Sequence, residues 1–153
     1  MSGLYLLDTN VVLALVRGKA LGAFIDSTFG LSTAKRRPAI SVVTHGEVRV
    51  LASRNGWGGA KLTVLQVALD ALVTVDVNVA EVIDAYVEID IYSQQHPDGA
   101  RNMGKNDLWI AACAKASGAT LLTTDKDFDH LNPGLLTVKY IDPTSTLPSS
   151  SGA

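Results

Sequence analysis

The chain has 153 residues, of which 47% are apolar and 18% are charged, and this composition excludes an intrinsically disordered protein. Its length suits one domain with a hydrophobic core, and no apolar run reaches the roughly 18 residues that a membrane-spanning helix needs. The net charge of −2 excludes a strongly basic nucleic-acid-binding protein, and Cys113, the one cysteine, has no partner for an internal disulfide. No signal peptide is recognisable, so we expect a cytoplasmic protein without membrane contact.

Strands and helices alternate along the chain. The predicted strands, which are short and apolar, are 4–7, 39–43, 73–77, 120–124 and 137–141. The predicted helices are 10–17, 20–29, 44–53, 60–72, 79–94 and 106–117. This alternation implies crossover connections and a mostly parallel sheet, in which ligands bind at the carboxyl ends of the strands. Residues 1–143 are predicted to form the domain, and the polar segment 144–153 is predicted to be a disordered tail.

Asp8 follows the first predicted strand directly, inside the otherwise apolar run LYLLDTNVVLALV. Burying a lone ionised carboxylate is costly, so its position needs a cause. The sequence leaves two explanations open. Asp8 is either a functional acid at the ligand-binding edge of the sheet or the N-cap of the helix that begins near Asn10.

Asp125 follows the fourth predicted strand in LLTTDKDFDHL and is expected at the same edge of the sheet. A helix cap or an Asx-turn is its alternative explanation. The D-K-D-F-D spacing is similar to that of a calcium-binding loop. However, His130 stands where such a loop has glycine and Leu136 where it has a bidentate glutamate, so a calcium loop is excluded.

Two further acids lie near the starts of predicted helices. Asp107 shares a helix face with apolar residues, and Asn106 can cap that helix, so Asp107 is not required as its cap. A first-turn acid that the helix dipole favours is the alternative explanation for Asp107. Glu47 lies three residues after Thr44, and this spacing slightly favours a capping box over an inward-facing acid.

The first turns of helices that follow parallel strands lie at the carboxyl edge of the sheet, so these acids are expected to converge. Carboxylates repel one another by roughly 4 kcal/mol per pair at about 4 Å and an effective dielectric of about 20. Such a cluster requires protons or metal cations, and Mg²⁺ or Mn²⁺ suits oxygen ligands best. Zinc is excluded because the three histidines and Cys113 lack the spacing of zinc ligands.

The same residues carry a resemblance to a known family. LLDTNVVLAL, the helical Glu47, NDLWIAACAKASGATLLTTDKDF and a closing strand resemble a PIN-domain ribonuclease. More narrowly, they resemble the VapC-type toxins of bacterial type II toxin–antitoxin pairs. The resemblance covers about residues 4–142 and is most specific at its two ends.

The resemblance implies a PIN-like three-layer α/β sandwich, with a central five-stranded, mostly parallel sheet and helices on both faces. It also implies a Mg²⁺- or Mn²⁺-dependent endoribonuclease that cleaves an RNA such as tRNA or rRNA and inhibits translation when free. The implied partners are a cognate antitoxin and a second copy of the chain. The long helices 60–72 and 79–94 could supply surfaces for these partners, although ordinary core packing explains most of their apolar positions.

Site residues follow from the resemblance position by position. The residues expected to bind metal and to act in catalysis are Asp8, Glu47, Asp107 and Asp125. The residues expected to support them are Thr9, Asn10, Asn106, Thr124 and Asp127. Within this second set, the threonines are expected to donate hydrogen bonds and Asp127 to stabilise a turn. The basic residues considered for RNA binding are Arg17, Lys35, Arg36, Arg37 and Arg49, for which a solvated surface is the ordinary explanation.

Other α/β families agree less well with the sequence. A haloacid-dehalogenase-like phosphatase has a second acid two residues after the first, where this chain has Asn10. A receiver domain needs paired acids after the first strand, and a dinucleotide-binding domain needs a glycine-rich turn there, but DTNVV has neither. A catalytically weak PIN-fold module that binds RNA or a partner remains the open alternative.

Overall fold

The computed structural model describes residues 3–148 and has a five-stranded sheet at its centre. The strands are β1 (Tyr5–Leu7), β2 (Ala39–Ser41), β3 (Val73–Val75), β4 (Thr120–Thr123) and β5 (Val138–Tyr140). Their order is β3-β2-β1-β4-β5, and every neighbouring pair is parallel. The chain starts at the central strand, adds strands on one side and then on the other. The boundary between β1 and β4 is therefore the topological switch point, where ligands bind in open α/β sheets.

Helices connect the strands and cover both faces of the sheet. They are α1 (Thr9–Arg17), α2 (Ala20–Phe29), α3 (Val42–Arg54), α4 (Gly59–Asp70), α5 (Ala80–Gln94) and α6 (Lys105–Ser117). Two short 3₁₀ helices span Leu31–Thr33 and Lys126–Leu131. None of the helices in the described residues is long and apolar enough to cross a membrane.

The core is divided into two by the sheet, because successive side chains of a strand point to opposite faces. Leu6 packs into the core formed with α5 and α6, beside Ile89 and Ile110. Leu7 packs into the core formed with α1 to α4, beside Val11 and Ile25. The predicted three-layer α/β sandwich with a five-stranded parallel sheet is therefore confirmed.

Four helices begin one or two residues earlier than the sequence predicts, and in two of them, α3 and α6, this changes the expected cap. Ser41 caps α3, because its hydroxyl accepts a hydrogen bond from the backbone N–H of Val43 at 3.1 Å. Thr44 thus lies inside the helix, and the predicted Thr44–Glu47 capping box is wrong. Helix α6 begins at Lys105 with Gly104 as its N-cap, so the expectation that Asn106 caps this helix is also wrong.

The first two helices pack so closely that one position between them requires glycine. Gly18 ends α1 with a φ of 63°, which reverses the chain into α2. Gly22 of α2 then lies against the backbone of α1, where an added Cβ would collide with the carbonyl oxygen of Ala14. This contact fixes α1, which begins at the end of β1, against its neighbour.

Residues 144–148 form no helix or strand, and residues 149–153 lie outside the described residues. The predicted disorder of segment 144–153 and the domain boundary at 143 therefore stay predictions.

Candidate metal centre

The switch point of the sheet brings the sequence-predicted acids to one edge. Asp8 directly follows β1, and Asp125 follows β4, its parallel neighbour, after one intervening residue. Asp107 lies in the first turn of α6, and Glu47 lies in the second turn of α3. Both helices start at the carboxyl edge of the sheet, so their acids face the same region.

Asp8 is a buried carboxylate whose two oxygens are both hydrogen-bonded. Its side chain is 4% exposed, and Oδ1 accepts the backbone N–H of Thr9 at 2.8 Å. Oδ2 accepts the hydroxyl of Thr123 at 2.7 Å. Asp8 is also the N-cap of α1, which is one of the two explanations that the sequence left open, and its role as a functional acid stays a prediction.

Thr123 performs the supporting contact that the sequence resemblance assigned to Thr124. In the described residues, the hydroxyl that reaches Asp8 belongs to the last residue of β4, one position earlier than expected. The register explains the difference, because Leu7 pairs with Leu122 and the next residues, Asp8 and Thr123, then lie side by side. The Thr123 hydroxyl also accepts the backbone N–H of Asp125 at 2.9 Å, so it joins the two strand ends.

A second network orients Glu47. The hydroxyl of Thr9 donates to Oε1 of Glu47 at 2.6 Å, and the amide of Asn106 donates to Oε2 at 3.3 Å. Because the proton of Thr9 is directed to Glu47, Thr44 must donate in its 3.1 Å contact with Thr9. The hydroxyl of Thr44, for which the sequence predicts a helix cap, therefore supports the carboxylate indirectly.

Three carboxylates converge closely enough to hold one metal ion. Asp107, Asp125 and Asp127 each offer an oxygen, and these oxygens lie within 4.8 Å of one another. Asp127 was expected only to stabilise a turn, but the side chain that does so belongs to Asp125, whose Oδ1 accepts the backbone N–H of Asp127 at 2.8 Å. The exposed carboxylate of Asp127 is left facing the other two. We call Asp107, Asp125 and Asp127 the carboxylate triad.

Two acids of this edge, Asp107 and Asp8, have raised pKa values. The pKa of Asp107 is raised from 3.8 to about 7, mainly by burial and then by the charges of Asp8, Asp125, Glu47 and Asp127, in that order. Burial also raises the pKa of Asp8, while its hydrogen bonds with Thr123 and Thr9 lower it in part. Negative charge is therefore concentrated at this edge. Within residues 3–148, none of these acids forms an ion pair with a lysine, arginine or histidine.

The remaining candidate residues are placed elsewhere or at the rim. Asn10 is exposed in the first turn of α1. Arg17 ends α1, and residues 35–37 precede β2, so these basic residues lie toward the opposite edge of the sheet from the acids. Arg49 is exposed on α3, two residues after Glu47. The structure therefore brings together the acids and their hydrogen-bonding partners, but not most of the basic residues.

The model of the PIN domain family matches residues 5–132, a range that contains every acid described above. A comparison with curated proteins finds no significant match. Similar solved structures do exist, and they cover nearly the whole domain.

One similar structure is VapBC2 from Rickettsia felis, bound to a DNA fragment from its promoter. It is 23% identical in sequence to this chain, with a TM-score of 0.72, and the match covers 90% of this chain and 98% of that chain. DNA-bound VapBC from Salmonella typhimurium is 20% identical with a TM-score of 0.73, covering 90% and 97%. VapBC-1 from nontypeable Haemophilus influenzae is 19% identical with a TM-score of 0.67, also covering 90% and 97%. These likenesses show a shared fold, and with the family match over most of the chain they show that it belongs to the PIN domain family.

Proposed function

We propose that this chain is a metal-dependent endoribonuclease and the toxin of a VapC-type toxin–antitoxin pair, which inhibits translation when it is free of its antitoxin. The observation that carries the proposal is the carboxylate triad, with Asp8 and Glu47 beside it, at the switch point of a parallel sheet. PIN domains are generally nucleases, which supports hydrolysis of a phosphodiester as the reaction. The resemblance of the two ends of the chain to VapC-type toxins supports RNA as the substrate.

The donor set suits a hard divalent cation. The triad offers carboxylate oxygens only, which Mg²⁺ and Mn²⁺ prefer over nitrogen or sulfur ligands. Burial and the neighbouring carboxylates raise the pKa of Asp107 to about 7, and a cation at this position would favour its ionised form. We therefore propose Mg²⁺ or Mn²⁺ as the cofactor, held by Asp107, Asp125 and Asp127, with Asp8 and Glu47 acting directly or through water.

The roles of the chain's own residues follow from their contacts. A bound divalent cation lowers the pKa of a water molecule and neutralises charge on a phosphodiester. Glu47 is half-buried and its two oxygens are fixed by Thr9 and Asn106, so it is oriented to accept a proton from an attacking water. Thr123 holds Asp8 and the turn at Asp125 in one arrangement. Hydrolysis by water requires no 2′-hydroxyl attack and leaves 5′-phosphate and 3′-hydroxyl ends.

The proposed partners are a cognate antitoxin and a second copy of the chain, in the cytoplasm. Support comes from the similar structures, which are described as VapBC complexes, including one from Mycobacterium tuberculosis called a toxin–antitoxin system. Helices α4 and α5 expose apolar side chains that could bind such partners. These include Val64, Val67, Val87 and Ile91, which are each about half exposed or more.

Cleavage of RNA by the partner-free chain tests the proposal. The purified chain is incubated with structured RNA and Mg²⁺ or Mn²⁺, with and without EDTA, beside Asp8→Asn and Asp107→Asn. We expect metal-dependent cleavage that EDTA and both substitutions abolish, and fragments with 5′-phosphates. Asp84→Asn is the matched control, because Asp84 is an exposed acid on α5 away from the site and its variant should cleave normally.

Two outcomes would contradict the proposal. Cleavage that survives Asp107→Asn would come from a contaminant, and absence of cleavage with binding of RNA intact would favour a catalytically weak binding module. Expression of the chain alone in a bacterium tests the toxin role separately. Growth arrest should depend on Asp107, and normal growth with abundant soluble protein would refute the toxin assignment.

A further inference from the structure

A cavity of about 620 Å³ adjoins the carboxylate triad and shares one wall with it. The shared wall is Asp127, which faces both the other two acids and the cavity. The walls come from the loop before α6 and from the 3₁₀ helix after β4, which contains Asp127 and lies far from that loop in the sequence. None of the site residues predicted from sequence, apart from Asp127, lines this cavity.

Two cationic side chains line the cavity. Arg101 and Lys126 are both exposed, and neither forms an ion pair in the part of the chain that the structure describes. The backbone N–H of Arg101 donates to the carbonyl of Ser93 at 2.7 Å, which ties its loop to α5. The amine of Lys126 lies 5.3 Å from the ring centroid of Tyr140. Asp127 and Asp129 are the acids of the same cavity.

Aromatic and imidazole rings form another part of the wall. His130 and His96 line the cavity with ring centroids 5.7 Å apart, and the ring of Tyr92 lies nearly parallel to that of His130, at 13°. The hydroxyl of the buried Ser93 lies 2.8 Å from Nε2 of His130 and fixes its ring. Both imidazoles remain partly exposed toward the cavity.

We propose that this cavity binds the nucleotide next to the phosphodiester that the carboxylate triad cleaves, in a single-stranded RNA. Arg101 and Lys126 would bind its phosphate, and its base would stack on His96, whose ring is nearly perpendicular to that of His130. Single-stranded nucleic acids are bound by this combination of cationic and stacking side chains, and the cavity volume suits one nucleotide. Because Asp127 separates cavity and triad, a bound nucleotide lies next to the reacting bond. The inference rests on the proposed function.

Binding of a short RNA without metal tests the inference without requiring cleavage. The affinity of a fluorescein-labelled, pyrimidine-rich hexanucleotide is measured by fluorescence anisotropy in EDTA, over a range of salt concentrations. Arg101→Ala and Lys126→Ala should each weaken binding about tenfold, and each should reduce the salt slope by about 0.7. Lys19→Ala is the matched control, because Lys19 is the exposed N-cap residue of α2 and does not line the cavity, so its loss should leave affinity and slope unchanged.

The stacking part of the inference has its own variants. His96→Ala should weaken binding about tenfold with no change in salt slope, because it removes a ring and not a contact to phosphate. His96→Phe keeps a ring and should restore most of the affinity. Equal affinities for the two variants would refute the stacking role.

The experiment distinguishes failure of the inference from failure of the proposed function. Metal-dependent cleavage by the unaltered chain, together with unchanged affinity and slope in Arg101→Ala and Lys126→Ala, would overturn the cavity assignment and leave the nuclease intact. Weakened RNA binding in these variants, with no cleavage by the unaltered chain, would support the cavity and overturn the nuclease. An unaltered chain that does not bind the hexanucleotide would also overturn the cavity assignment.

Discussion

Replacing Asp107 with asparagine is expected to stabilise the metal-free protein, although the same change should abolish metal-dependent cleavage. Burial and the neighbouring carboxylates raise the pKa of Asp107 from 3.8 to about 7. A group whose pKa is raised on folding contributes stability below its unfolded pKa, and this stability is lost as the pH rises through its folded pKa. At pH 8 the ionised Asp107 therefore destabilises the fold, and asparagine removes that charge.

The magnitude follows from the difference between the two pKa values. At about 1.4 kcal/mol per pKa unit, the rise to about 7 corresponds to an upper limit of about 4 kcal/mol. Asp107 is only partly buried, and solvent screening reduces this value, so we expect about 2 kcal/mol. Asp107→Asn should thus raise the free energy of unfolding by about 2 kcal/mol at pH 8 in EDTA. The difference should approach zero near pH 4, where Asp107 is protonated in the folded protein.

Urea denaturation at both pH values, in EDTA and in Mg²⁺, measures these differences. A ligand at a hundred times its Kd stabilises the folded state by about 2.7 kcal/mol, so saturating Mg²⁺ should make the unaltered chain the more stable one. Asp84→Asn, which removes an exposed acid of α5, should show a small effect that does not depend on Mg²⁺. The electrostatic reasoning is refuted if Asp107→Asn is destabilising at pH 8 in EDTA, or if its effect is the same at pH 4.

Three further variants test single contacts. Thr123→Val removes the hydroxyl that donates a hydrogen bond to Asp8 and should destabilise the protein by about 1–3 kcal/mol in urea denaturation. Thr123→Ser keeps this hydroxyl and should be close to neutral. Equal losses of stability in the two variants would contradict the role of the hydrogen bond. Asp127→Asn should weaken Mn²⁺ binding about tenfold in calorimetry with little change in stability, and unchanged affinity would remove Asp127 from the triad. Gly22→Ala should lower the free energy of unfolding by about 1–3 kcal/mol in urea denaturation, because the added Cβ would collide with the carbonyl oxygen of Ala14. An unchanged free energy of unfolding would show that α1 and α2 can move apart to make room for it.

The positions of the acids at the sheet edge could be predicted because they depend on strand ends alone. Asp8 and Asp125 follow buried apolar strands, and parallel pairing brings such ends together whatever the exact register. The identity of the supporting threonine depends on that register, which the sequence does not determine. Thr123 and Thr124 are adjacent, and only the pairing of Leu7 with Leu122 selects Thr123.

Other details depended on local competition between similar signals. Ser41 and Thr44 are both good caps for α3, and the earlier one caps the helix, which leaves Thr44 free to contact Thr9. In the turn after β4, Asp125 and Asp127 are two residues apart, and the backbone geometry decides which carboxylate is used within the turn. The cavity beside Asp127 could not be predicted, because its walls come from segments that only the tertiary fold brings together.

The hydrogen bonds of the site indicate where a cation is needed. Asp8, Glu47 and Asp125 each accept hydrogen bonds from hydroxyl, amide or backbone donors, and no buried polar side-chain atom in the described residues lacks a partner. The Asp107 carboxylate accepts none within residues 3–148, and burial together with the neighbouring charges raises its pKa to about 7. Donors from the chain thus stabilise the acids around Asp107 but not Asp107 itself. A cation from solution is the remaining source of stabilisation for its ionised form, so substitution of Asp107 should remove metal binding and stabilise the metal-free fold at the same time.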